Sequence, residues 1–324
     1  MRRLPSSRIE VIDALVLEGG NPLLTAALLE KDEHLTDALR ALFALNLDGL
    51  QLVLCGGTSL SKAFAMIERM SEDADLKVIM SSDLASQSNN RIRNRLRELK
   101  TSIKTTLADL GFTEDVDKAL AFNENRYIHT QWAYARHYES AVGARPNLQI
   151  ETTVRSPILP LEICRLTSLA GRLAPQVDTG GFDAPIVSRS ETLAEKVLSF
   201  LRRFAQHRCG KMNREWDTKL VRHIYDVHCM CRAAPELLAP AEIAFATLVQ
   251  QDVDEFGTQH PEFAERPYEI LSAALTQSVS DSQTAQEYQE NLLPLVYGHD
   301  RSAFEDAFST FATTANQLLA TISR

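Results

Sequence analysis

Two aspartates, Asp73 and Asp75, are the residues on which chemistry could turn. In an extended strand, residues two apart face the same way, so Asp73-Ala74-Asp75 presents both carboxylates on one side. Such a pair repels itself unless a cation lies between, and hard oxygen donors suit Mg²⁺, with Mn²⁺ as an alternative. Upstream stands Gly56-Gly57-Thr58, a turn whose bare backbone offers N–H groups to a phosphate at the start of a helix. A phosphate cradle beside a metal-binding carboxylate pair is what nucleotidyl transfer from an NTP requires. Taken singly, a GG between strand and helix is commonplace, and a lone DxD is usually a solvated strand edge. Together, separated by one helix, they favour a site.

The elements that must position them can be read around them. Gln51 to Leu54 is a short apolar run of buried-strand length. Thr58 stands at the expected N-cap, and Leu60, Ala63, Phe64 and Ile67 recur at helical spacing, predicting about three turns of helix. Asp73 and Asp75 then open a second strand that runs to Met80, with Ala74, Leu76 and Val78 on its other face.

The wording GGTSLSKAF…SEDADL, Gly56 to Phe64 and Ser71 to Leu76, resembles the signature of the DNA-polymerase-β-like nucleotidyltransferase superfamily. In detail it is similar to the AbiEii/AbiGii toxin nucleotidyltransferases of type IV toxin–antitoxin systems, where GGTSLSK is followed by RxSEDxDL. Here Met70 stands between Arg69 and Ser71-Glu72-Asp73, and Ala74 fills the variable slot. The resemblance implies an α+β fold: a minimal nucleotidyltransferase mixed sheet flanked by helices, with a helical C-terminal half. It implies Asp73 and Asp75 as catalytic metal ligands and Gly56, Gly57, Thr58, Ser59, Lys62 and Ser71 as the nucleotide-binding set. Ser59 could donate to a phosphate oxygen, and a phosphate on Ser71 would repel an incoming NTP.

Two later segments, TLAEKVLSFLRR and RHIYDVHCM, resemble the family's TxxEKLxAL and RHxYDL motifs. The resemblance implies that Lys196 contacts nucleotide phosphates and that Asp226 orients it or the acceptor; the alternative is a Lys–Asp surface pair of little energetic weight. The Lys196 helix runs from Arg189 to Gln206, capped by Ser190, with Leu193, Ala194, Val197, Leu198 and Leu201 as its buried stripe. The next helix is expected near Trp216.

Elsewhere the reading is coarser. Arg8 to Asn46 is helical in pattern, broken at Gly19-Gly20-Asn21-Pro22. Ser81-Ser82-Asp83 caps a helix to about Leu110 whose middle carries Arg91, Arg93, Arg95, Arg97, Lys100 and Lys104 against one acid, Glu98. A charge run of this kind is ordinarily a solvated face; its place after the carboxylate strand suggests contact with a phosphate backbone. Arg202, Arg203, Arg208, Lys211 and Arg214 form a second basic run, expected as a loop at the mouth of the cleft, with Arg202, Arg203 and Arg208 expected to contact RNA phosphates alongside those of the first run. Segments 126–136, 147–155 and 160–168 alternate as strands. Glu151 in the second of these is the candidate third metal ligand, a polar outward residue being the alternative.

The 324 residues suffice for two modest domains, placed at 1–185 and 186–324, the second completing the active-site cleft. The net charge of −9 comes from the C-terminal part, where 14 acids face four basic residues from Arg232 onward; the preceding part is nearly neutral. Overall acidity therefore does not argue against nucleic acid. Five cysteines form no disulfide framework, and Cys229 and Cys231 beside His223 and His228 match no standard zinc spacing. No apolar span of membrane length and no signal peptide is evident, so a reducing cytoplasm is expected. The activity implied is transfer of NMP from an NTP to an RNA acceptor, a tRNA 3′ end by resemblance, with a cognate antitoxin encoded nearby. A small-molecule or protein hydroxyl as acceptor, or an inactive binding module, are the other readings.

Overall fold

The computed structural model describes residues 1–19, 23–71, 73–139, 145–177, 180–210, 216–298 and 301–323. Glu72, Gly20-Asn21-Pro22, Lys211 and Arg214 lie outside the described residues. Two compact units divide the chain. One comprises Met1–Ala65, Arg69–Pro157 and Leu161–Val187; the other Met66–Glu68, Ile158–Pro160 and Ser188–Arg324.

The first unit holds the sheet. Helices α1 (Ser6–Glu18) and α2 (Ala26–Phe43) lead into β1 (Leu50–Cys55), α3 (Gly56–Lys62) and β2 (Asp73–Met80). Then come α4 (Ser82–Ala85), α5 (Asn89–Asp109), β3 (Thr113–Glu114), β4 (Leu120–Phe122), β5 (Tyr127–Ala133), β6 (Leu148–Val154), β7 (Glu162–Leu166), α6 (Leu169–Leu173) and β8 (Phe182–Ile186). The strands form one mixed sheet in the order β3-β5-β6-β2-β1-β8-β7, with β4 also pairing β5. β2 runs parallel to β6 and antiparallel to β1.

Alternation decides what each strand residue does. Ala74, Leu76 and Val78 of β2, Ile150 of β6 and Trp132 of β5 share one hydrophobic cluster with Leu35, Leu39 and Leu42 of α2 and Ile92, Leu96, Leu99 and Ile103 of α5. The helices thus cover the apolar face, and Asp73 and Asp75 face away from them. α5 forms because Ser88 caps it, accepting from Arg91 N–H, and because its apolar residues keep helical spacing.

Four local expectations are corrected. The helix after Gly56-Gly57 has only seven residues, because Ala65 adopts a left-handed φ of 50° just beyond it. Thr58 is not its N-cap but lies within its first turn. The helix expected from Ser81 is two, α4 and α5, each with its own serine cap. β8, β3 and β4 were not expected: β3 and β4 are too short to show alternation, and β8 contains Pro185.

The second unit is helical: α7 (Arg189–Arg208), α8 (Arg222–Ala233), α9 (Leu238–Phe256), α10 (Pro261–Glu265), α11 (Pro267–Ser278), α12 (Ser282–Glu287) and α13 (Phe304–Ala320). α7 is central, packing on α8, α9, α11 and α13. Its cap is Ser188, not Ser190, and α8 starts at Arg222 rather than near Trp216. Glu191 in the first turn of α7 is buried and accepts the Ile158 and Leu159 N–H groups, each at 2.8 Å.

α2 is unusual in burying its ionisable side chains, Glu30 through His34 and Asp37 among them. Asp37 is held below the usual carboxylate range: burial raises it, but Arg8, Arg2 and Arg40 outweigh that. His34 lies between Tyr134 (ring centroids 4.1 Å apart) and Phe112, and among the described residues neither ring nitrogen has a hydrogen-bond partner. Burial, with the Arg2 charge added, lowers its pKa to about 3. An unfolded histidine takes up a proton near pH 6.5. The folded state therefore loses stability as pH falls below that value, by up to about 1.4 kcal/mol per unit from this residue. His34→Leu should flatten the difference between urea midpoints at pH 7 and pH 5; an unchanged difference would place the pH sensitivity elsewhere.

Candidate functional site

The row of side chains facing away from the helices can be written from the register. Asp75 of β2 pairs with Cys55 of β1 on one side and Glu151 of β6 on the other. Glu151 in turn pairs with His129 of β5, and His129 with Leu120 of β4. Cross-strand partners share a face, so Asp75, Glu151, His129 and Leu120 form one line across four strands. Asp73 and Gln149 lie one pair to one side of this line, and Lys77, Thr153, Tyr127 and Phe122 one pair to the other.

The glycine turn abuts this face. Gly56 has φ +69°, and a Cβ built on it would lie 2.3 Å from Asp75 Oδ2. Only a residue without a side chain lets the backbone approach the carboxylate so closely. A Cβ on Gly57 would lie 2.8 Å from Arg69 Nη2 and 3.1 Å from Ser71 Oγ. Arg69 is buried and donates from Nη1 to the Met70 carbonyl at 3.0 Å. Thr58 fastens turn to strand: its hydroxyl lies 2.8 Å from Ser71 Oγ and donates to the Asp73 carbonyl.

The sequence-named residues divide here. Gly56, Gly57, Thr58, Ser71, Asp73 and Asp75 are brought together, with Glu151 beside Asp75. Ser59 is buried and donates to the Gly56 carbonyl at 2.8 Å, which braces the turn instead of reaching outward. Lys62 is buried as well, its ammonium held by the Asp32 carboxylate at 2.6 Å and by Thr36 Oγ1 at 2.7 Å. Its side chain is committed to α2. α3 is too short to lend much macrodipole, so what the turn offers an anion is N–H groups of a first helical turn.

Arg145 had no sequence signal: it ion-pairs with Asp73 at 3.2 Å across 72 residues of chain. Glu151 accepts from His129 Nδ1 and from the Tyr127 hydroxyl, both at 3.1 Å. Burial pushes its carboxyl up, but those two bonds and the Arg145 charge outweigh that and hold it below the usual range. Among the described residues no three His, Cys, Asp or Glu side chains are gathered closely enough to hold an ion as they stand. Asp73 and Asp75 nonetheless fit Mg²⁺ by donor chemistry, since that ion takes one or two carboxylates and fills its shell with phosphate oxygens and water.

In the helical unit, Lys196 and Asp226 pair at 2.7 Å with side chains only 6 % and 0 % exposed. This is a buried pair, not the surface pair considered as its alternative. The second basic run is helical, not a loop, as far as Arg208. Arg202 is buried, bonded to Asp252 at 2.9 Å and stacked 3.8 Å over Phe256, so it does not face solvent. Arg203 pairs with Asp217, and Arg208 with Asp281. His228, near the cysteines of α8, meets Thr310 and Ser302 hydroxyls with its two ring nitrogens. On α5, Arg91 and Arg97 are exposed, Arg93 pairs with Glu124 and Arg95 with Glu98 and Asp48.

A glycine turn locked against paired carboxylates on a mixed sheet is the layout of a nucleotidyl-transferring enzyme. The family model described as nucleotidyl transferase AbiEii toxin, type IV TA system, matches residues 37–310, and the chain belongs to that family. Among solved structures it is similar to MenT4, a nucleotidyltransferase toxin from Mycobacterium tuberculosis H37Rv, at 21 % identity and a TM-score of 0.37, covering 71 % of this chain and 72 % of that one. No curated protein matches. No helix among the described residues is long and apolar enough to cross a membrane.

The Gly56 contact yields a test. Gly56→Ala should drive its methyl into the Asp75 carboxylate while straining a left-handed backbone. Transfer from a labelled NTP should fall at least about 100-fold in protein that still gives a cooperative melt. Near-normal transfer would show that Asp75 is not held where the turn places it.

Proposed function

We propose that the protein transfers a nucleoside monophosphate from an NTP to a hydroxyl of an RNA acceptor, with a tRNA 3′ end as the specific acceptor, acting in the cytoplasm beside a cognate antitoxin. One observation carries the reading: Asp73 and Asp75 share one sheet face with Glu151 while the Gly56 backbone lies against Asp75. In the reaction the acceptor oxygen bonds to the α-phosphorus, the bond from that phosphorus to the bridging oxygen breaks, and pyrophosphate leaves. The acceptor's proton passes to a base.

A divalent cation bound by Asp73 and Asp75 would neutralise phosphate charge and polarise the attacked phosphorus. Glu151 is the proposed third carboxylate, held by His129 and Tyr127. The Gly56-Gly57-Thr58 backbone cradles phosphate, Thr58 keeps β2 fixed against that cradle, and Arg145 balances the Asp73 charge. For Lys196 and Asp226 the support is the family motif: the lysine serves the nucleotide phosphates and the aspartate holds it. Stranding one member of a buried pair generally costs about 3–5 kcal/mol, so Lys196→Ala mixes folding with activity and makes a poor first test.

Asp73→Asn is the better one, since it removes charge and keeps shape. Incubated with each labelled NTP and total cellular RNA, the wild type should label RNA, and the variant should lose several kcal/mol of transition-state stabilisation, about 1,000-fold or more in rate. Normal turnover by folded Asp73→Asn would remove the carboxylate pair from the chemistry.

RNA contact is assigned first to α5, where Arg91 and Arg97 are exposed and Arg93 and Arg95 lie on the same helix, whereas on α7 Arg202 is buried against Asp252 and Arg203 and Arg208 pair with Asp217 and Asp281. Replacing Arg91 and Arg97 should lower the slope of log affinity against log salt by roughly one to two units, alike for different RNA sequences. Affinity flat in salt would turn the reading toward a small-molecule hydroxyl acceptor.

A further inference from the structure

The carboxylate face does not end at His129. Beyond it, on β4, Leu120 and Phe122 are 44 % and 47 % exposed, large apolar side chains at the edge of a polar face. Single exposed apolar residues are ordinary on a protein surface. These two differ in their register: Leu120 extends the Asp75–Glu151–His129 line, and Phe122 stands opposite Tyr127. The Phe122 and Tyr127 rings stack with centroids 6.0 Å apart and planes 21° apart. The Tyr127 hydroxyl is the same one that bonds Glu151 at 3.1 Å. At a strand spacing of about 4.8 Å, Leu120 lies about 14 Å from Asp75 along the sheet.

We propose that Phe122, Tyr127 and Leu120 form a stacking platform for an unpaired nucleobase of the acceptor polynucleotide. The proposal rests on the polynucleotide-acceptor reading above. A nucleobase needs a flat apolar surface for its face and water or polar groups for its edges, which the exposed Phe122 ring stacked on the half-buried Tyr127 at a polar sheet face supplies. Stacking of this kind is tolerant of sequence because every base has a π-face. Two features choose a nucleic-acid strand over another occupant. The platform is continuous with the carboxylate line. In addition, Arg93 of the basic helix α5 pairs at 3.3 Å with Glu124, in the turn that joins β4 to β5. Arg93 thus places a half-exposed guanidinium beside the platform, within reach of the phosphate backbone of a strand whose base stacks on Phe122.

The test measures binding of a short single-stranded RNA and of the same sequence as a blunt duplex, by fluorescence anisotropy, on the full chain. Phe122→Ala should weaken single-strand binding by on the order of tenfold. Phe122→Trp should restore it, while duplex binding and the KM for NTP should stay unchanged. Because Phe122 is exposed, both variants should melt like the wild type. Single-strand affinity within about twofold of wild type in Phe122→Ala, an equal loss on duplex, or wild-type protein that does not bind single strands would each overturn the platform. A changed sedimentation coefficient of Phe122→Ala without RNA would also overturn it, making the patch a self-association face. Asp73→Asn separates the two readings: it should bind the single strand normally and fail to transfer. If it transfers normally while Phe122 dependence persists, the transfer site falls and the platform stands.

Discussion

Strand β2 has to satisfy two solvents at once. Its even-numbered residues Ala74, Leu76 and Val78 belong to the hydrophobic cluster under α2 and α5, and its odd-numbered ones carry the carboxylates. A slip of one residue would exchange the faces, placing Asp73 and Asp75 against leucines and isoleucines. Register is therefore fixed by the cost of burying unpaired charge, far larger than any single hydrogen bond in the ladder. The pairing of β2 with both β1 and β6 transmits that choice. Cys55 and the glycine turn after it are set on one side, Glu151 and His129 on the other. Thr58 then ties the turn back to the Asp73 carbonyl, closing a loop of constraints around the carboxylates.

Several charged side chains do structural work in the interior. Lys62 with Asp32, Lys196 with Asp226 and Arg202 with Asp252 are each nearly removed from water. Desolvating such pairs costs about as much as their attraction returns, so they contribute little to net stability. What they exclude is rearrangement: a chain in which one partner moves strands the other. Arg202 adds a cation–π contact with Phe256, which orients the guanidinium as the carboxylate alone would not.

Much of the site could be read locally, because its signals are local. The glycine doublet, the two carboxylates and the strand alternation around Glu151 all lie within single elements, where spacing alone assigns a face. What could not be read depends on partners distant in the chain. Nothing near Arg145 announces its bond to Asp73, and nothing in GGTSLSK says that Lys62 turns inward to Asp32 while Ser59 caps its own turn. A basic run says that charge is present and not that acids elsewhere neutralise it, as Asp217, Asp252 and Asp281 do along α7. β4 is only three residues long, too short for a period to emerge, so the exposure of Leu120 and Phe122 shows only once β5 lies beside it.

The buried charges of α2 have a further consequence, in the order of synthesis. Glu30 is satisfied by the backbone of His137 and Tyr138, Lys31 by the Arg145 carbonyl, and Asp32 by the Leu169 amide as well as by Lys62. A nascent chain emerging from the ribosome exposes this helix long before those partners exist. Until residue 169 has left the exit tunnel, α2 must keep its ionised groups in water and cannot settle into its final seat. α2 therefore reaches its final seat only after residue 169 has emerged, although its own residues are made well before.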